Sequence, residues 1–167
     1  MYLYKIDSAD VKNRIREETV DLVVREFAPS LRGGLFLKEE EAGVKAAAVH
    51  LMFQIMTLGK TRIYYVKREN TIIHTSYAIP ACARFPFMGR DDLEIGPCFT
   101  HPAFRGKGIY SRVLSEICQR KSTDISCFYM IVKETNISSI HGIEKAGFVR
   151  CGTVHKNKFS KRYNLVS

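Results

Sequence analysis

Leu93 to Thr100 is an extended, apolar-rich run that leads through Arg105-Gly106-Lys107-Gly108 into a helical pattern. Ile109, Val113, Leu114, Ile117 and Cys118 mark one helix face, and Arg112 and Glu116 form an i,i+4 pair. A strand feeding a glycine turn that opens a helix calls for a sheet with helices packed on it. The turn also has a chemical bias. Its glycines let the backbone approach a ligand closely. Free N–H groups at a helix start, together with the helix dipole, favour phosphate oxygens, and Arg105 and Lys107 add cationic donors. Taken alone, two glycines also make an ordinary strand-to-helix turn.

The flanking pattern supplies the rest of the sheet. Tyr2 to Ile6 reads as a first strand. Asp10 to Phe27 has helical spacing at Val11, Ile15, Val20, Val23, Val24 and Phe27, with a break near Glu18. Pro29 and Gly33-Gly34 end that helix. Glu39 to Leu58 is a clearer helix, with three glutamates at its positive end and Gly59 as its stop. Thr61–Lys67 and Thr71–Ala78 form a hairpin about Glu69-Asn70. Gly96-Pro97 should bulge or bend the strand over Leu93–Thr100. Phe128–Lys133 is a buried strand, Ser138–Ala146 a short helix stopped by Gly147, and Phe148–His155 a strand. The basic tail from Lys156 to Arg162 adds an edge strand. A mixed sheet with helices on its faces follows.

The chain has 167 residues, which fits one domain over residues 1–167. Its 46% hydrophobic content suffices for a core, and 26% charged content suits a soluble globular protein. Lysine and arginine outnumber aspartate and glutamate 26 to 17, a net charge of +9 that suits an anionic partner. The five cysteines are odd in number and form no CxxC, against a zinc site of usual spacing. They suit a reduced, cytoplasmic protein. Charge enters too early at the N-terminus for a signal-peptide core, and Ala46–Met56 is too short and polar to span a bilayer. No metal and no membrane partner are expected.

Thr100-His101-Pro102-Ala103-Phe104-Arg105-Gly106-Lys107-Gly108-Ile109 resembles motif A of the GNAT superfamily of N-acetyltransferases. Asn136, Ser139, Glu144, Lys145, Gly147 and Phe148 resemble its motif B in type and spacing. The absence of GxxxxGK[ST] disfavours a P-loop. The resemblance implies a mixed α/β (α+β) fold. Its sheet would be mostly antiparallel, with helices on both faces and a splayed parallel strand pair, here Leu93–Thr100 and Phe128–Lys133. It further implies acetyl-CoA as acyl donor and an amine-bearing acceptor, such as an amino sugar, another small molecule or a peptide. The amides of Arg105, Gly106, Lys107, Gly108, Ile109 and Tyr110 would hold the pyrophosphate of coenzyme A. Backbone groups of Phe99 and Thr100 would pair with the pantetheine arm, and Asn136 and Ser139 would face it from the other side. Asn136 also suits a helix N-cap. Tyr110 departs from the Gly or Ala that ends the family's turn, so its ring must point away or stack beside the coenzyme.

Acyl transfer to an amine requires a deprotonated amine, a polarised thioester carbonyl and a stabilised leaving thiolate. Glu94 is the candidate base, 11 residues ahead of Arg105, an offset similar to the glutamate base of histone-type members. Its alternative is a solvent-facing strand carboxylate. Where relatives often carry a motif-B tyrosine this chain has Ile143, which has no proton to give. Ser139 shares the face of Ile143 and is the catalytic candidate there; Tyr129 and His141 lie nearby, and His141 should point elsewhere. Arg25–Phe36 and Ala81–Arg90 would shape the acceptor pocket, with Arg84, Phe85, Phe87 and Arg90 either receiving an acidic group or packing on the core. Two rival readings remain. A coenzyme A-binding domain without turnover fits the missing tyrosine. A nucleic-acid module fits the charge but lacks a recognition motif. A homodimer stays open.

Overall fold

The computed structural model describes residues 1–12, 22–29 and 51–166. Among these, one sheet of eight strands runs in the order β2-β3-β4-β5-β6-β1-β7-β8. Its strands are β1 Tyr2–Asp7, β2 Val24–Phe27, β3 Arg62–Arg68, β4 Thr71–Pro80, β5 Asp92–Thr100, β6 Cys127–Val132, β7 Val149–Lys156 and β8 Tyr163–Leu165. The helices are α1 Ser8–Lys12, the helical residues 51–56 (α2), α3 Ile109–Lys121 and α4 Ile137–Lys145. All neighbouring strands pair antiparallel except β5 and β6. The fold is thus the mixed, mostly antiparallel sheet with one parallel pair that the sequence implied.

The hairpin β3–β4 forms where β-branched and aromatic residues alternate. Ile63, Tyr64 and Val66 are buried, and Glu69 takes the left-handed conformation at the turn, φ 54°. Helix α3 carries its apolar stripe of Val113, Leu114 and Ile117 onto one sheet face, where Tyr4, Ile6, Tyr64 and Phe128 meet it. All three α3 residues are fully buried, so Leu114→Ala should cost about 2–5 kcal/mol. The opposite face holds a smaller cluster of Phe53 from α2, Ile79 from β4 and Phe85 from the 81–90 loop. Tyr163 ties β8 to this loop, its amide donating to the Arg84 carbonyl at 2.9 Å.

Two sequence expectations change. Val24–Phe27 is an edge strand, not the end of a helix. It pairs with β3, and its Glu26 bridges Arg62 at 3.5 Å and Lys121 at 3.6 Å. Arg120 Nη2 also donates to the Val24 carbonyl at 2.9 Å, so tertiary contacts fix it. In the tail, residues 157–162 are the connection and the added strand is Tyr163–Leu165, because Asn157 Oδ1 accepts the amides of Phe159 and Ser160 and closes a turn. The expected helix over Glu39–Leu58 is helical at 51–56. Its first part, the middle of Asp10–Phe27 and the acceptor segment from Ser30 to Phe36 lie outside the described residues.

Candidate active site

The site begins where β5 and β6 part. Their parallel pairing runs Asp92↔Cys127, Leu93↔Phe128 and Glu94↔Tyr129, then stops. On its other edge β5 keeps pairing with β4, but Gly96-Pro97 is bulged. Ala78↔Ile95 is followed by Ser76↔Cys98, so β5 spends one extra residue there. Proline has no N–H to offer and the bulge bends the strand. Beyond Glu94 the two strands fork, and the β5 edge toward β6 has no strand partner there.

Two adjoining cavities occupy the fork. The first, about 590 Å³, is lined by Glu94, Arg84, Phe85, Tyr163, Ile143 and the β6 segment from Met130 to Lys133, among others. The second, about 470 Å³, lies over the glycine turn and includes Thr100, Arg105, Gly106, Gly108, Ile109 and Lys145. Cys98, Tyr110, Asn136 and Ser139 line both and so mark their junction.

The turn has the backbone features that suit an anion. Gly106 and Gly108 have φ 75° and 73°, a left-handed conformation that side-chain-bearing residues rarely adopt. A Cβ on either would meet nothing within 4 Å, so glycine serves the backbone conformation there and not a lack of space. Gly108 is the N-cap of α3 and supplies no side-chain cap, which leaves the first helical amides open. Arg105 to Gly108 are exposed. Arg105 Nε donates to the Thr100 carbonyl at 3.0 Å, and Lys107 Nζ sits 5.1 Å from the centre of the Phe104 ring. Across the cavity, Asn136 caps α4, its Oδ1 accepting the Ser139 amide at 3.4 Å.

Glu94 is buried, at 6% exposure, not solvent-facing. A Cβ on Gly96 would lie 2.7 Å from Glu94 Oε1, so the glycine makes room for the carboxyl. Burial pushes the Glu94 carboxyl up to about 8, with the Arg84 guanidinium opposing. Arg84 itself lies over the rings of Phe53, Phe85 and Tyr163, at 5.4, 5.8 and 5.3 Å. Of the expected aromatic-basic cluster, Arg90 is exposed and Phe87 packs on the core, while Phe85 and Arg84 pack there and wall the first cavity at once. The Arg84 guanidinium also leaves Nε buried without a partner.

Below the junction lies a polar chain that the sequence reading did not single out. His74 is fully buried, its Nδ1 2.7 Å from Thr100 Oγ1 and its Nε2 2.8 Å from Ser76 Oγ. Burial drives its pKa down to about 4, which keeps the imidazole neutral. The only sequence signal was polar His74 and Ser76 at alternate positions beside Ala78 on a strand face otherwise buried. Tyr110 rests on this chain. Its ring centre is 6.0 Å from that of His74, and its hydroxyl faces the Cys98 sulfur at hydrogen-bonding range.

The two adjoining cavities thus run from the open amides of the glycine turn to a buried carboxyl. The profile of the acetyltransferase (GNAT) family matches residues 37–148, which include both cavities' β5, α3, β6 and α4 walls. The chain belongs to the GNAT acetyltransferase family.

None of the curated protein sequences matches this family member. Solved structures resemble it in fold. A GNAT-family acetyltransferase from Colwellia psychrerythraea is similar at TM-score 0.61 and 14% identity, over 89% of this chain and 52% of the other. The GNAT chain described here therefore spans about half that protein's length. Aminoglycoside N-acetyltransferase AAC(6')-Iy, in complex with CoA, is similar at TM-score 0.60 and 14% identity, over 81% and 98% of the two chains. Ribosomal-protein-alanine N-acetyltransferase from Brucella melitensis is similar at TM-score 0.58 and 19% identity, over 86% and 96%. The fold is therefore shared with solved acetyltransferases, one of them in complex with CoA.

Among the residues expected to serve this GNAT site, Glu94, Tyr110, Asn136 and Ser139 meet in the first cavity. Thr100, Arg105, Gly106, Gly108 and Ile109 meet in the second. The Phe99 side chain is 55% exposed, and Phe99 lines neither cavity. Lys107 turns to Phe104, and His141 stands at the rim over the turn. Tyr129 packs edge-on against Phe87, ring centres 5.6 Å apart. No helix among the described residues is long and apolar enough to cross a membrane.

Proposed function

We propose that the chain, as a single unit over residues 1–167, is a cytoplasmic acetyl-CoA-dependent N-acetyltransferase acting on a primary amine of a small molecule or peptide. The observation that carries this reading is the fork, where two adjoining cavities that share Cys98, Tyr110, Asn136 and Ser139 reach from the glycine turn to a buried carboxyl. The donor's phosphates would lie against the amides of Gly106 to Tyr110, with Arg105 and Lys145 supplying positive charge. Its pantetheine amides would pair with the free edge of β5 around Phe99 and Thr100, while Asn136 and Ser139 hold its far side. The donor brings an activated acyl group; the protein's part is to hold it in line and to manage protons.

Glu94 is the proposed base. An alkyl ammonium near pKa ~10 has no lone pair to attack with. A carboxylate with its pKa near 8 takes that proton far better than an ordinary one, because the match in proton affinity is closer. Arg84, Phe85 and Tyr163 wall the acceptor's side of the cavity. Aromatic walls suit a sugar ring or an apolar side chain, and the Arg84 guanidinium suits an acidic group elsewhere on the acceptor.

Ile143, at 1% exposure in the cavity wall, also supports a second reading: a coenzyme A-binding domain without turnover. Release of free thiol from acetyl-CoA, scanned over amino sugars, polyamines, amino acids and peptide N-termini, separates the two. Amine-dependent release supports the enzyme. Tight binding of acetyl-CoA with no release from any amine supports the binding domain.

A further inference from the structure

We infer that the acceptor is a small aminocarboxylate, its carboxylate held by Arg84 while its amine faces Glu94. This rests on the proposed acetyl transfer and narrows it, from any primary amine to one that carries its own anion.

Arg84 is fixed from several sides. The Ala81 amide donates to the Asp92 carbonyl at 3.1 Å, and the Gly89 amide donates to Asp92 Oδ2 at 2.7 Å, so the 81–90 loop is anchored near both ends. Between these anchors the Arg84 carbonyl accepts the Tyr163 amide of β8 at 2.9 Å. The side chain then lies among the rings of Phe53, Phe85 and Tyr163, supplied by α2, the loop itself and β8. A guanidinium held this way has already given up much of its rotamer freedom, so meeting an anion costs little further entropy.

The rings hold the guanidinium without satisfying it. Among the described residues its one hydrogen bond runs from Nη2 to Tyr163 Oη, at the long distance of 3.5 Å. Nε is buried with no acceptor, and no ion pair among the described residues includes Arg84. Ring faces offset part of the charge, but a half-buried guanidinium gains more from a carboxylate, which matches its fork of donors. Glu94 is the one carboxyl among the described residues lining the first cavity, and burial keeps it largely protonated until about pH 8. The fold therefore sets a cation in the cavity wall with no anion beside it.

That imbalance discriminates among amines. A polyamine or an amino sugar arrives as a cation and adds like charge beside Arg84. An aminocarboxylate arrives as a zwitterion. Its carboxylate meets Arg84, and its ammonium turns toward Glu94, which takes the proton in the transfer. Arg84 and Glu94 line the same cavity of about 590 Å³, and the charge of Arg84 is felt at the Glu94 carboxyl, so one small molecule can reach both. The rings around the guanidinium leave apolar surface for the carbon skeleton between the two charges.

The first test follows thiol release from acetyl-CoA with the standard amino acids, their carboxamides, spermidine and glucosamine. Wild-type kcat/KM should favour at least one free amino acid over its carboxamide by ~10-fold or more. Carboxamides, spermidine or glucosamine used as well or better would overturn the inference and leave the proposed transferase standing. The second test needs no turnover: calorimetric binding of the N-acetyl amino acids and their carboxamides to the coenzyme A-bound protein. The preferred carboxylate should bind at least ~10-fold tighter than its carboxamide, and Arg84→Met, which keeps side-chain length over the rings, should erase the difference. Arg84→Lys keeps the charge without the fork and should retain part of it; this variant decides the matter should Arg84→Met fold poorly. No preference in the wild type, or one that survives intact in either variant, would overturn the inference. Thiol release with no amine of any class would overturn the proposed function, and this inference with it.

Discussion

Replacing Glu94 with Gln keeps the volume of the protonated acid and removes its ionisation. Burial moves the carboxyl from its ordinary 4.5 to about 8. A raised carboxyl favours the protonated folded state. Its contribution to stability is complete below pH 4.5 and drains away as pH rises toward 8, at up to about 1.36 kcal/mol per pH unit. The whole interval amounts to about 5 kcal/mol as an upper bound. His74 acts in the opposite sense at lower pH, between 6.5 and about 4, so the interval above 6.5 isolates Glu94. From pH 6.5 to 8 the wild type should lose about 2 kcal/mol of unfolding free energy relative to Glu94→Gln. Urea unfolding at several pH values reads this directly. The same carboxyl should appear in catalysis: wild-type kcat/KM should rise with pH to an apparent pKa near 8, and Glu94→Gln should lose ~10²-fold in kcat together with that limb. Parallel stability curves for the two proteins would refute the buried, raised carboxyl and with it the argument for its role as base.

Three further outcomes follow from the same geometry. Gly108→Val should cost about 1–2 kcal/mol, because φ 73° is strained for any L side chain, and should weaken coenzyme A binding at least ~10-fold by calorimetry. A Cβ on Gly142 would lie 2.5 Å from Tyr110 Cδ1, so Gly142→Ala should destabilise the wild type but not Tyr110→Ala, giving a coupling of about 1–3 kcal/mol in a double-mutant cycle of urea unfolding. His74 is held neutral, so the stability it contributes is present above pH 6.5 and lost as pH falls toward 4, about 3 kcal/mol in total; His74→Gln should flatten that acid limb in melting curves.

Much of this was readable before any coordinates. The hairpin about Glu69-Asn70, the bulge at Gly96-Pro97 and the helix after Gly108 each carry a local signal, a turn residue or a period, that tertiary contacts reinforce. Val24–Phe27 was misread because four residues with two apolar ends fit either period, and its strand state depends on β3 and on Arg120, far away in sequence. The site divides in the same way. The glycine turn and Glu94 are legible as a motif and an offset. Tyr110 was visible as an oversized residue, but its accommodation by Gly142 joins two helices and has no local mark. The burial of Glu94, and the chain Thr100–His74–Ser76, arise only from the sheet's register.

The central claim is that the fork of β5 and β6 holds a coenzyme A thioester. The most direct test is thermal unfolding with acetyl-CoA, with coenzyme A and with ATP as a phosphate control. Both coenzyme A forms at 100 times Kd should stabilise the protein by ~2.7 kcal/mol, and a ~10-fold weakening in Gly108→Val should cut that shift to about 1.4 kcal/mol or less at the same concentrations. No shift with either form, or an equal shift with ATP, would contradict the account.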